Sequence, residues 1–512
     1  MSDDRSRDID RDLLVSHLSG PIRVLLPTVV LVVTYPVILH RAGVEVLGVW
    51  SLLSIVMAYT SLLDVGFTSV LTKEMATGAR ELNVERLAVW RKGASECYLL
   101  GGAILTVLCL LVASRFDAFG VPTRFQKPVL LGSVCLVLAT VCQLLLRLEL
   151  SVYKAHHRTY VEQWVLALSA VIMYLIGLAG ALVGRPIEGL AFGALLANAA
   201  LYSWARLAVR RNFAQLFDAM GRASRPVRLS DVRDLAHAGK HFFSLAVVFV
   251  AREPVFRILV GWTLGASAVG VYDIANRVPM LIRELGASGS QALFPGLARS
   301  SALPRSNELE TRRLLRTAMF YLLAIGATGL AFFAVNRELI VALWLGKDSP
   351  VGLSSAALMM SGWWALTLFN VPFFWFLQAR GFEKPLANSV WFHTAALLIV
   401  VGIMRPHLAS LTQLLWIWIL TGVTTQAYIY VVAERAGGLT RAVFFDKTTS
   451  LYLFSWLLVS VVGVCLNGRQ SSTVTRLLYA ALWGAVYALV CGPSLWKLRP
   501  GRWGLSAHAA DA

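Results

Sequence analysis

Seven ionisable side chains interrupt two consecutive apolar segments near the middle of the sequence. They are Arg252, Glu253, Arg257, Asp273, Arg277, Arg283 and Glu284. If these segments lie in a bilayer, each charge at its centre costs about 2.5–3.5 kcal/mol on insertion scales, so such side chains normally face a cavity or a partner. The arginines outnumber the acids, and guanidinium groups bind diphosphates through paired hydrogen bonds. These residues therefore predict a cationic, anion-binding cavity.

The spacing of the same residues also allows a structural role. Glu253 and Arg257 share a face of one helix, while Asp273, Arg277 and Glu284 fall within about 40° of one another on the next. Glu253 could pair with Arg257, and Asp273 with Arg277, and the pairs could hold the helices together without meeting a ligand. The sequence leaves both interpretations open.

Two further charged residues lie in earlier apolar segments. Arg23 is predicted either to line the mouth of the cavity or to extend its side chain to the membrane surface. Asp64, in the stretch SLLDVGFTS, is predicted either to take up a proton or to bond backbone amides and a neighbouring helix, where Gly66 allows close approach. Glu253, Asp273 and Glu284 are candidates for the same ion-coupling or charge-pairing role.

Sequence motifs of enzymes and metal sites are missing. The six cysteines form no CxxC pair, and the His156-His157 pair has no acid or cysteine at ligand spacing, so no metal site is predicted. There is no Walker loop, GxSxG motif or HExxH motif. We expect no catalytic residues and no cofactor, with coupling to a proton or sodium ion left open. Trp363 and Trp364 are expected to pack between helices or to stack on sugar rings.

The composition points to a membrane. Of the 512 residues, 57% are hydrophobic and 15% are charged, and the mean hydropathy is +0.65. Soluble domains are about 45–50% apolar and carry about 25% charged residues, so this chain cannot cover soluble domains of its length with polar surface. The net charge of +18 follows from basic residues between the apolar segments, and nucleic acid is not needed to explain it.

Fourteen apolar segments approach the roughly 20 residues that a helix needs to cross the hydrocarbon core. The second covers 47–71, the seventh 242–260, the eighth 268–296 and the tenth 354–377. Lys and Arg concentrate at the termini and in the even-numbered connections, which predicts that both termini are cytoplasmic. The sequence thus predicts an all-α integral membrane protein with about 14 transmembrane helices.

An internal repeat divides the chain. At an offset of 222 residues, GVEVLGVW at 43–50 aligns with GASAVGVY at 265–272, and each stretch joins the first two helices of a six-helix block. This predicts two six-helix bundles related by a pseudo-two-fold axis, plus a C-terminal helix pair. The expected order is a cytoplasmic N-terminus (1–20), first bundle (21–207), basic cytoplasmic linker (208–241), second bundle (242–432), cytoplasmic loop (433–450), helix pair (451–495) and cytoplasmic tail (496–512).

Two stretches resemble polysaccharide flippases of the Wzx type, in the multidrug/oligosaccharidyl-lipid/polysaccharide exporter superfamily. They are GVWSLLSIVMAYTSLLDVGFTSVLTKEMA at 48–76 and LVGWTLGASAVGVYDIANRVPMLIRELGASGSQALFPGLAR at 259–299, with a looser match at 148–160. The resemblance implies a MATE-like fold with a central cavity that opens alternately to each side. It implies a transporter and not an enzyme. Many relatives place an acid just before the basic residue near the end of the seventh helix, whereas here Phe256 precedes Arg257.

The resemblance implies a flippase for a polyprenyl-diphosphate-linked oligosaccharide in the bacterial inner membrane, serving O-antigen (lipopolysaccharide), capsule or exopolysaccharide biosynthesis. Its partners would be the lipid-linked glycan, membrane lipids, a polysaccharide polymerase and a chain-length regulator, with no nucleic acid. An ion-coupled multidrug exporter of the same fold is an alternative, although a cationic cavity repels organic cations. A membrane glycosyltransferase or ligase is another, but the sequence offers no large extracytoplasmic loop for its catalytic residues.

Overall fold

The computed structural model is helical throughout. It describes residues 2–58, 60–64, 66–77, 84–119, 121–156, 158–223, 225–291, 308–346, 349–437, 447–467 and 473–498, and within these ranges there is no β-strand. Contacts between helices divide the chain into two compact units, Met1–Gly270 and Val271–Ala512. The predicted all-helical fold is confirmed.

The first unit consists of long helices joined by short connections. They are α1 (Ser2–Ala42), α2 (Val44–Leu53), α3 (Ile55–Ala58), α4 (Thr60–Leu63), α5 (Phe67–Thr77), α6 (Val84–Ala113), α7 (Gln126–Ala155), α8 (Thr159–Leu182), α9 (Pro186–Asn212), α10 (Ala214–Arg222), α11 (Leu229–Leu264) and the first residues of α12 (Ala266–Gln291). Short 3₁₀ turns at Phe116–Phe119 and Thr123–Phe125 connect α6 to α7. The helices α7, α8 and α9 pack extensively on one another, and α1 packs on α8.

The second unit continues from α12. Its helices are α13 (Glu308–Tyr321), a π-helical turn (Leu322–Ala327), α14 (Thr328–Leu345), α15 (Leu353–Leu368), α16 (Val371–Ala379), α17 (Glu383–Met404), α18 (Leu411–Gly437), α19 (Lys447–Asn467) and α20 (Thr473–Leu498). A 3₁₀ turn at Arg405–His407 follows α17. Part of the predicted loop 433–450 (residues 438–446) and most of the predicted tail 496–512 (residues 499–512) lie outside the described residues.

Eleven helices in the described part of the chain are long and apolar enough to cross a membrane. The sequence predicts about fourteen, so the multi-pass architecture is reproduced but the number is not. The three differences have a physical reason. The second predicted span begins as a short apolar helix, Val44–Ala58, and the seventh and eighth lie in α11 and α12, whose apolar parts carry the charged residues described above.

Two spans that the sequence predicts as continuous helices are broken. The second, 47–71, is interrupted by a turn at Ser54, between α2 and α3, and by another before α5, where Gly66 has a φ of 76°, a conformation that residues with a Cβ rarely adopt. The tenth, 354–377, is divided between Leu368 and Val371, where Pro372 has no amide hydrogen to continue the helix. Hydropathy does not reveal such breaks because the residues around them are still apolar.

The repeat found in the sequence is visible in the backbone. Gly43 precedes α2 with a φ of 85° and a ψ of 167°, and Gly265 precedes α12 with a φ of 83° and a ψ of 176°. This combination is open essentially to glycine alone. The two glycines therefore start equivalent helices in the same way.

The starts of α2 and α12 cross within the first unit at Gly48 and Gly270. A methyl group on Gly48 would overlap the carbonyl oxygen of Ala266, and one on Gly270 would overlap that of Val44. The two overlaps are equivalent under the repeat, since each pair of positions differs by 222 residues. Glycine at both positions is what allows the two backbones to touch.

The C-terminal helix pair is anchored on the π-helical turn before α14. A π-helical turn leaves backbone carbonyls without their ordinary partners one turn away. The Tyr452 hydroxyl donates to the Leu323 carbonyl at 3.1 Å, and the Trp456 indole donates to the Ala327 carbonyl at 2.9 Å. The Tyr487 hydroxyl lies 2.6 Å from that of Tyr452. Both α19 and α20 are thus part of the polar contacts of the second unit.

Candidate functional site

On α11 the opposite charges predicted from spacing form an ion pair. Arg257 Nη2 lies 2.8 Å from Glu253 Oε1, and the two side chains are 13% and 24% exposed. Pro254 lies in the same turn and has no amide hydrogen for the helix. Phe256, where many relatives carry an acid, is completely buried, so an ionised group there would have no water. Here Glu253 supplies the negative charge from the turn before Arg257.

On α12 a second ion pair forms at the same spacing. Arg277 Nη2 lies 3.0 Å from Asp273 Oδ2, and Arg277 Nε donates to the same oxygen at 3.3 Å. The Asp273 side chain is 1% exposed and that of Arg277 is 20% exposed. The arginine fork is therefore directed at the carboxylate, which is the charge-pairing arrangement that the sequence left open.

Farther along α12, Arg283 is held by an aromatic ring. Its guanidinium carbon lies 5.3 Å from the ring centroid of Trp364, which is on α15. The Trp364 indole donates to Asn276 Oδ1 at 2.6 Å. Trp364 and Asn276 are 6% and 1% exposed, so both contacts are inside the second unit.

The remaining predicted cavity residues lie in different surroundings. Arg252 and Glu284 are half-buried, on α11 and α12 respectively. Arg23 is exposed, and its Nη1 lies 3.4 Å from Gln163 Oε1 on α8. Arg23, Arg252 and Arg257 belong to the first unit, and Arg277 and Arg283 to the second.

Asp64 lies at the break before α5 and accepts hydrogen bonds that stabilise the start of this helix. Its Oδ1 accepts hydrogen bonds from the Thr68 amide, at 3.1 Å, from the Thr68 hydroxyl and from the Tyr98 hydroxyl on α6. A carboxylate that accepts an amide hydrogen in the first turn is a typical helix N-cap interaction. Asp64 therefore both starts α5 and joins it to α6, where Gly66 supplies the turn.

Sequence reasoning missed a buried ion pair in the first unit. Arg91 Nη2, on α6, lies 2.6 Å from each carboxylate oxygen of Glu149, on α7, and the Glu149 side chain is 4% exposed. The Arg91 guanidinium also lies 4.5 Å from the Phe217 ring of α10. Both charges fall outside the predicted apolar spans, 98–113 and 129–146. Hydropathy gave no signal there, because α6 begins about four turns before the first of these spans and α7 ends about two and a half turns after the second.

A second missed group joins α14 to α20. Arg476 Nη2 lies 3.4 Å from Glu338 Oε2, and Arg337 Nη2 lies 3.7 Å from Glu338 Oε1. Arg337 is 9% exposed and its Nη1 donates to the Ala334 carbonyl at 2.8 Å. The adjacent letters Arg-Glu at the end of an apolar span were a signal, but their partner on α20 is 138 residues away.

Trp363 packs between helices. It is completely buried, and its ring lies 5.6 Å from that of His393 and 5.4 Å from that of Trp418. A methyl group on Gly422 would overlap the same indole. Of the two interpretations of Trp363 in the sequence, the packing one fits this environment, because a sugar ring cannot reach a fully buried face.

The first unit also has a polar cleft of about 650 Å³ between the starts of α6 and α11. Arg225 bridges its sides: Nη1 and Nη2 each donate to Asp231 at 2.8 Å, and Nε donates to Glu85 at 3.1 Å. The Arg225 guanidinium and the Arg228 amide lower the pKa of Asp231 to about 2. This cluster fixes the first turn of α11, several turns before Glu253 and Arg257.

Comparison with known proteins places this architecture. The chain matches the family model described as polysaccharide biosynthesis protein over residues 11–301. No curated protein matches it significantly. The lipid II flippase MurJ in an inward closed conformation has a TM-score of 0.64 at 12% identity, covering 96% of this chain and 98% of that one. The MATE multidrug transporter DinF-BH has a TM-score of 0.61 at 15% identity, covering 85% and 97%.

A multidrug resistance MATE family transporter of the MOP superfamily, in its inward-facing conformation, has a TM-score of 0.63 at 14% identity and covers 84% of this chain and 99% of that one. At these identities the similarity shows the fold, and the predicted MATE-like fold is confirmed. The resemblance drawn from the two motif stretches is confirmed as well, because the family match covers more than half of the chain. The protein is a multi-pass membrane protein that belongs to the polysaccharide biosynthesis protein family.

Proposed function

We propose that the protein is a flippase that moves a polyprenyl-diphosphate-linked oligosaccharide across the bacterial cytoplasmic membrane by alternating access. The observation that carries the proposal is the match to a polysaccharide biosynthesis family in a chain with an exporter fold. A glycan and a charged diphosphate are strongly disfavoured in hydrocarbon, so their passage needs a polar path. Such a flippase supplies repeat units for O-antigen, capsule or exopolysaccharide.

The arginines of α11 and α12 support this class of substrate. Arg257 and Arg277 are each engaged by a carboxylate one turn earlier. A diphosphate presents the same kind of oxyanion as these carboxylates and more of them, so it can replace Glu253 or Asp273 at the guanidinium fork. Arg283, which lies over the ring of Trp364, adds positive charge on the same helix as Arg277.

This exchange of anions suggests how transport is coupled to an ion. When an arginine turns from its carboxylate to a diphosphate, the released acid is left largely buried, and an unpaired buried charge is costly. Uptake of a proton by Glu253 or Asp273 removes that cost. In this scheme substrate binding and protonation favour each other, and release of the diphosphate returns the proton.

A deletion strain tests the proposed function. Lipid-linked repeat units should accumulate facing the cytoplasm, and surface polysaccharide should be lost and then restored by the wild-type chain. Normal surface polysaccharide in a strain without paralogues would refute the proposal. Association with a polysaccharide polymerase and a chain-length regulator is a further expectation, which cross-linking in membranes would test.

Export of small amphipathic drugs is the second candidate, because the MATE multidrug transporter DinF-BH shares the fold. The charge on α11 and α12 disfavours it, since organic cations are repelled by an excess of arginine. Drug susceptibility of an expressing strain separates the two candidates. A strain that becomes drug-resistant while its surface glycan is unaffected would favour the exporter.

A further inference from the structure

Pro279 divides α12 between the charged residues that matter most for the proposed function. A proline inside a helix removes one backbone hydrogen bond, clashes with the preceding turn and lets the helix bend. Asp273 and Arg277 lie before Pro279, and Arg283 lies after it. Bending at Pro279 would therefore change the direction in which Arg283 points relative to Arg277.

The indole of Trp364 contacts α12 on both sides of Pro279. Trp364 donates its N–H to Asn276, which precedes Pro279, at 2.6 Å. The face of the same ring lies 5.3 Å from the guanidinium carbon of Arg283, which follows Pro279. Asn276 and Arg283 are seven residues apart, so they lie on nearly the same face of α12, about 20° apart.

The contacts of Trp364 with Asn276 and with Arg283 differ in kind. The hydrogen bond from Trp364 is directional, and Asn276 is 1% exposed, so the bond fixes the first half of α12 in a place that water does not reach. The contact with Arg283 is a cation–π contact between its guanidinium and the face of the Trp364 ring. The N–H groups of arginine are the groups that bind oxyanions. The ring thus orients the charged group that would bind an oxyanion.

We propose that Trp364 is a positioning residue for anion recognition: it braces α12 across Pro279 and sets the direction of Arg283. The proposal rests on the proposed function only for the identity of the anion. The brace itself is a property of Trp364, Asn276 and Arg283, and it can be tested without any substrate.

The first test is the reactivity of Arg283 toward phenylglyoxal, measured by peptide mass spectrometry on the full-length protein in lipid nanodiscs. Trp364→Leu should raise the modification rate at Arg283 about fivefold, the ratio that loss of one partly desolvated cation–π contact allows. Trp364→Phe keeps an aromatic face but loses the hydrogen bond to Asn276, so its rate should lie between those of wild type and Trp364→Leu. Arg257, on α11, is the internal reference and should not change.

Trp363→Leu is the matched control. It removes a neighbouring indole from the same helix, and that indole is even more buried and contacts His393 and Trp418, on α17 and α18. It should destabilise the protein without changing the reactivity of Arg283. An unchanged Arg283 rate in folded Trp364→Leu protein, or an equal rise in the Trp363→Leu control, would overturn the proposal.

If Trp364→Leu does not insert into the membrane, a double-mutant cycle tests the proposal instead. Trp364→Phe and Asn276→Ala both remove the same hydrogen bond, so their effects on thermal unfolding should not add. Additive effects would overturn the brace.

Binding of farnesyl diphosphate, measured by native mass spectrometry, tests whether the contacts of Trp364 affect the binding of an anion. Trp364→Leu should weaken binding severalfold, and Trp364→Phe, which keeps the ring and loses the hydrogen bond to Asn276, should weaken it less. Adding Arg283→Ala to Trp364→Leu should weaken it little further. Inorganic pyrophosphate should compete with farnesyl diphosphate for binding.

If Arg283 reactivity changes as expected but wild-type protein binds no farnesyl diphosphate, the brace stands and the proposed substrate class fails. If farnesyl diphosphate binds and Trp364→Leu leaves the binding unchanged, the positioning role fails.

Discussion

At the scale of single residues, several of the charges inside apolar helices in the described part of the chain are matched by a group that lowers their cost. Glu253 and Asp273 meet arginines at the next turn, and Arg283 meets an aromatic face. Asp64 meets three hydrogen-bond donors. A simple alanine substitution at any of these positions therefore removes a partner as well as a function, and informative variants must separate the two.

Arg277 illustrates the point. Arg277→Gln leaves Asp273 buried without its partner, and breaking such a pair typically costs about 3–5 kcal/mol, so we expect a clear loss of thermal stability. Asp273→Asn combined with Arg277→Gln has no unpaired charge and should recover most of that stability. If Arg277 binds the diphosphate, both variants lose glycan export. Export by the stable double variant would show that the pair only holds the helix.

Asp64 gives a second residue-scale prediction. Asp64→Asn keeps an oxygen that can accept from the Thr68 amide and the Tyr98 hydroxyl, so we expect normal insertion and retained export. Asp64→Ala removes the cap of α5 and should cost about 1–2 kcal/mol in the free energy of unfolding. Tyr98→Phe, which removes one donor and keeps the ring, serves as the control. A well-folded Asp64→Asn protein without export would instead identify Asp64 as the proton carrier.

At the scale of helices, glycine and proline decide where the apolar spans bend and touch. Gly48 and Gly270 let α2 and α12 meet backbone to backbone, Pro372 separates α15 from α16, and Pro279 removes one backbone hydrogen bond inside α12. None of these positions changes the mean hydropathy of its span noticeably. They change what the helix can do, because each removes a Cβ or an amide hydrogen.

Gly48→Ala tests the helix crossing. The added methyl group overlaps the Ala266 carbonyl, so the backbones must separate, and overpacking of this kind typically costs about 1–3 kcal/mol. Gly402→Ala is the control, since a methyl group at Gly402 on α17 meets no atom within 4 Å. That variant should gain up to about 1 kcal/mol from helix propensity. Thermal unfolding of the two proteins should shift in opposite directions, and a common shift would contradict the crossing.

The start of α11 gives a prediction about pH. Arg225 and the Arg228 amide stabilise the ionised form of Asp231, which lowers its pKa from 3.8 to about 2. A lowered carboxyl pKa stabilises the folded state above the unfolded pKa, and this contribution is lost as the pH falls toward the folded pKa. The protection factors of the amides in the first turn of α11, which are exchange rates corrected for the intrinsic pH dependence of amide exchange, should therefore be constant from about pH 8 to 5 and fall between about pH 4 and 2. Asp231→Asn should show the lowered protection throughout, and equal profiles in the two proteins would contradict the role of the contact between Arg225 and Asp231.

At the scale of the whole molecule, the distribution of basic residues predicts the orientation in the membrane. Both termini are expected in the cytoplasm because Lys and Arg concentrate there and in the even-numbered connections. Alkaline phosphatase fused after Gly184, in an odd-numbered connection, should be active, and a fusion after Arg222 should be inactive. A fluorescent protein at the C-terminus should fluoresce. Activity after Arg222 would invert the proposed topology.

The fold class could be predicted from the sequence because the bilayer requires nearly every residue of a spanning helix to be apolar. Composition alone excluded a soluble protein, and the repeat at an offset of 222 was short but fell at equivalent glycines, which the backbone at Gly43 and Gly265 reproduces. The pairs Glu253–Arg257 and Asp273–Arg277 were also accessible, since residues four apart on a helix must lie on one face.

Tertiary structure alone decided the contacts between distant segments. Trp364 reaches Asn276 and Arg283, Arg91 reaches Glu149, and Tyr452 reaches the π-helical turn before α14. Nothing local marks these partners, because they depend on which helices pack together and on the angle of each bend. The breaks in the second and tenth spans were equally hidden, because the apolar pattern continues through them. Hydropathy determines which segments enter the membrane, whereas the packing of side chains determines which polar groups meet inside it.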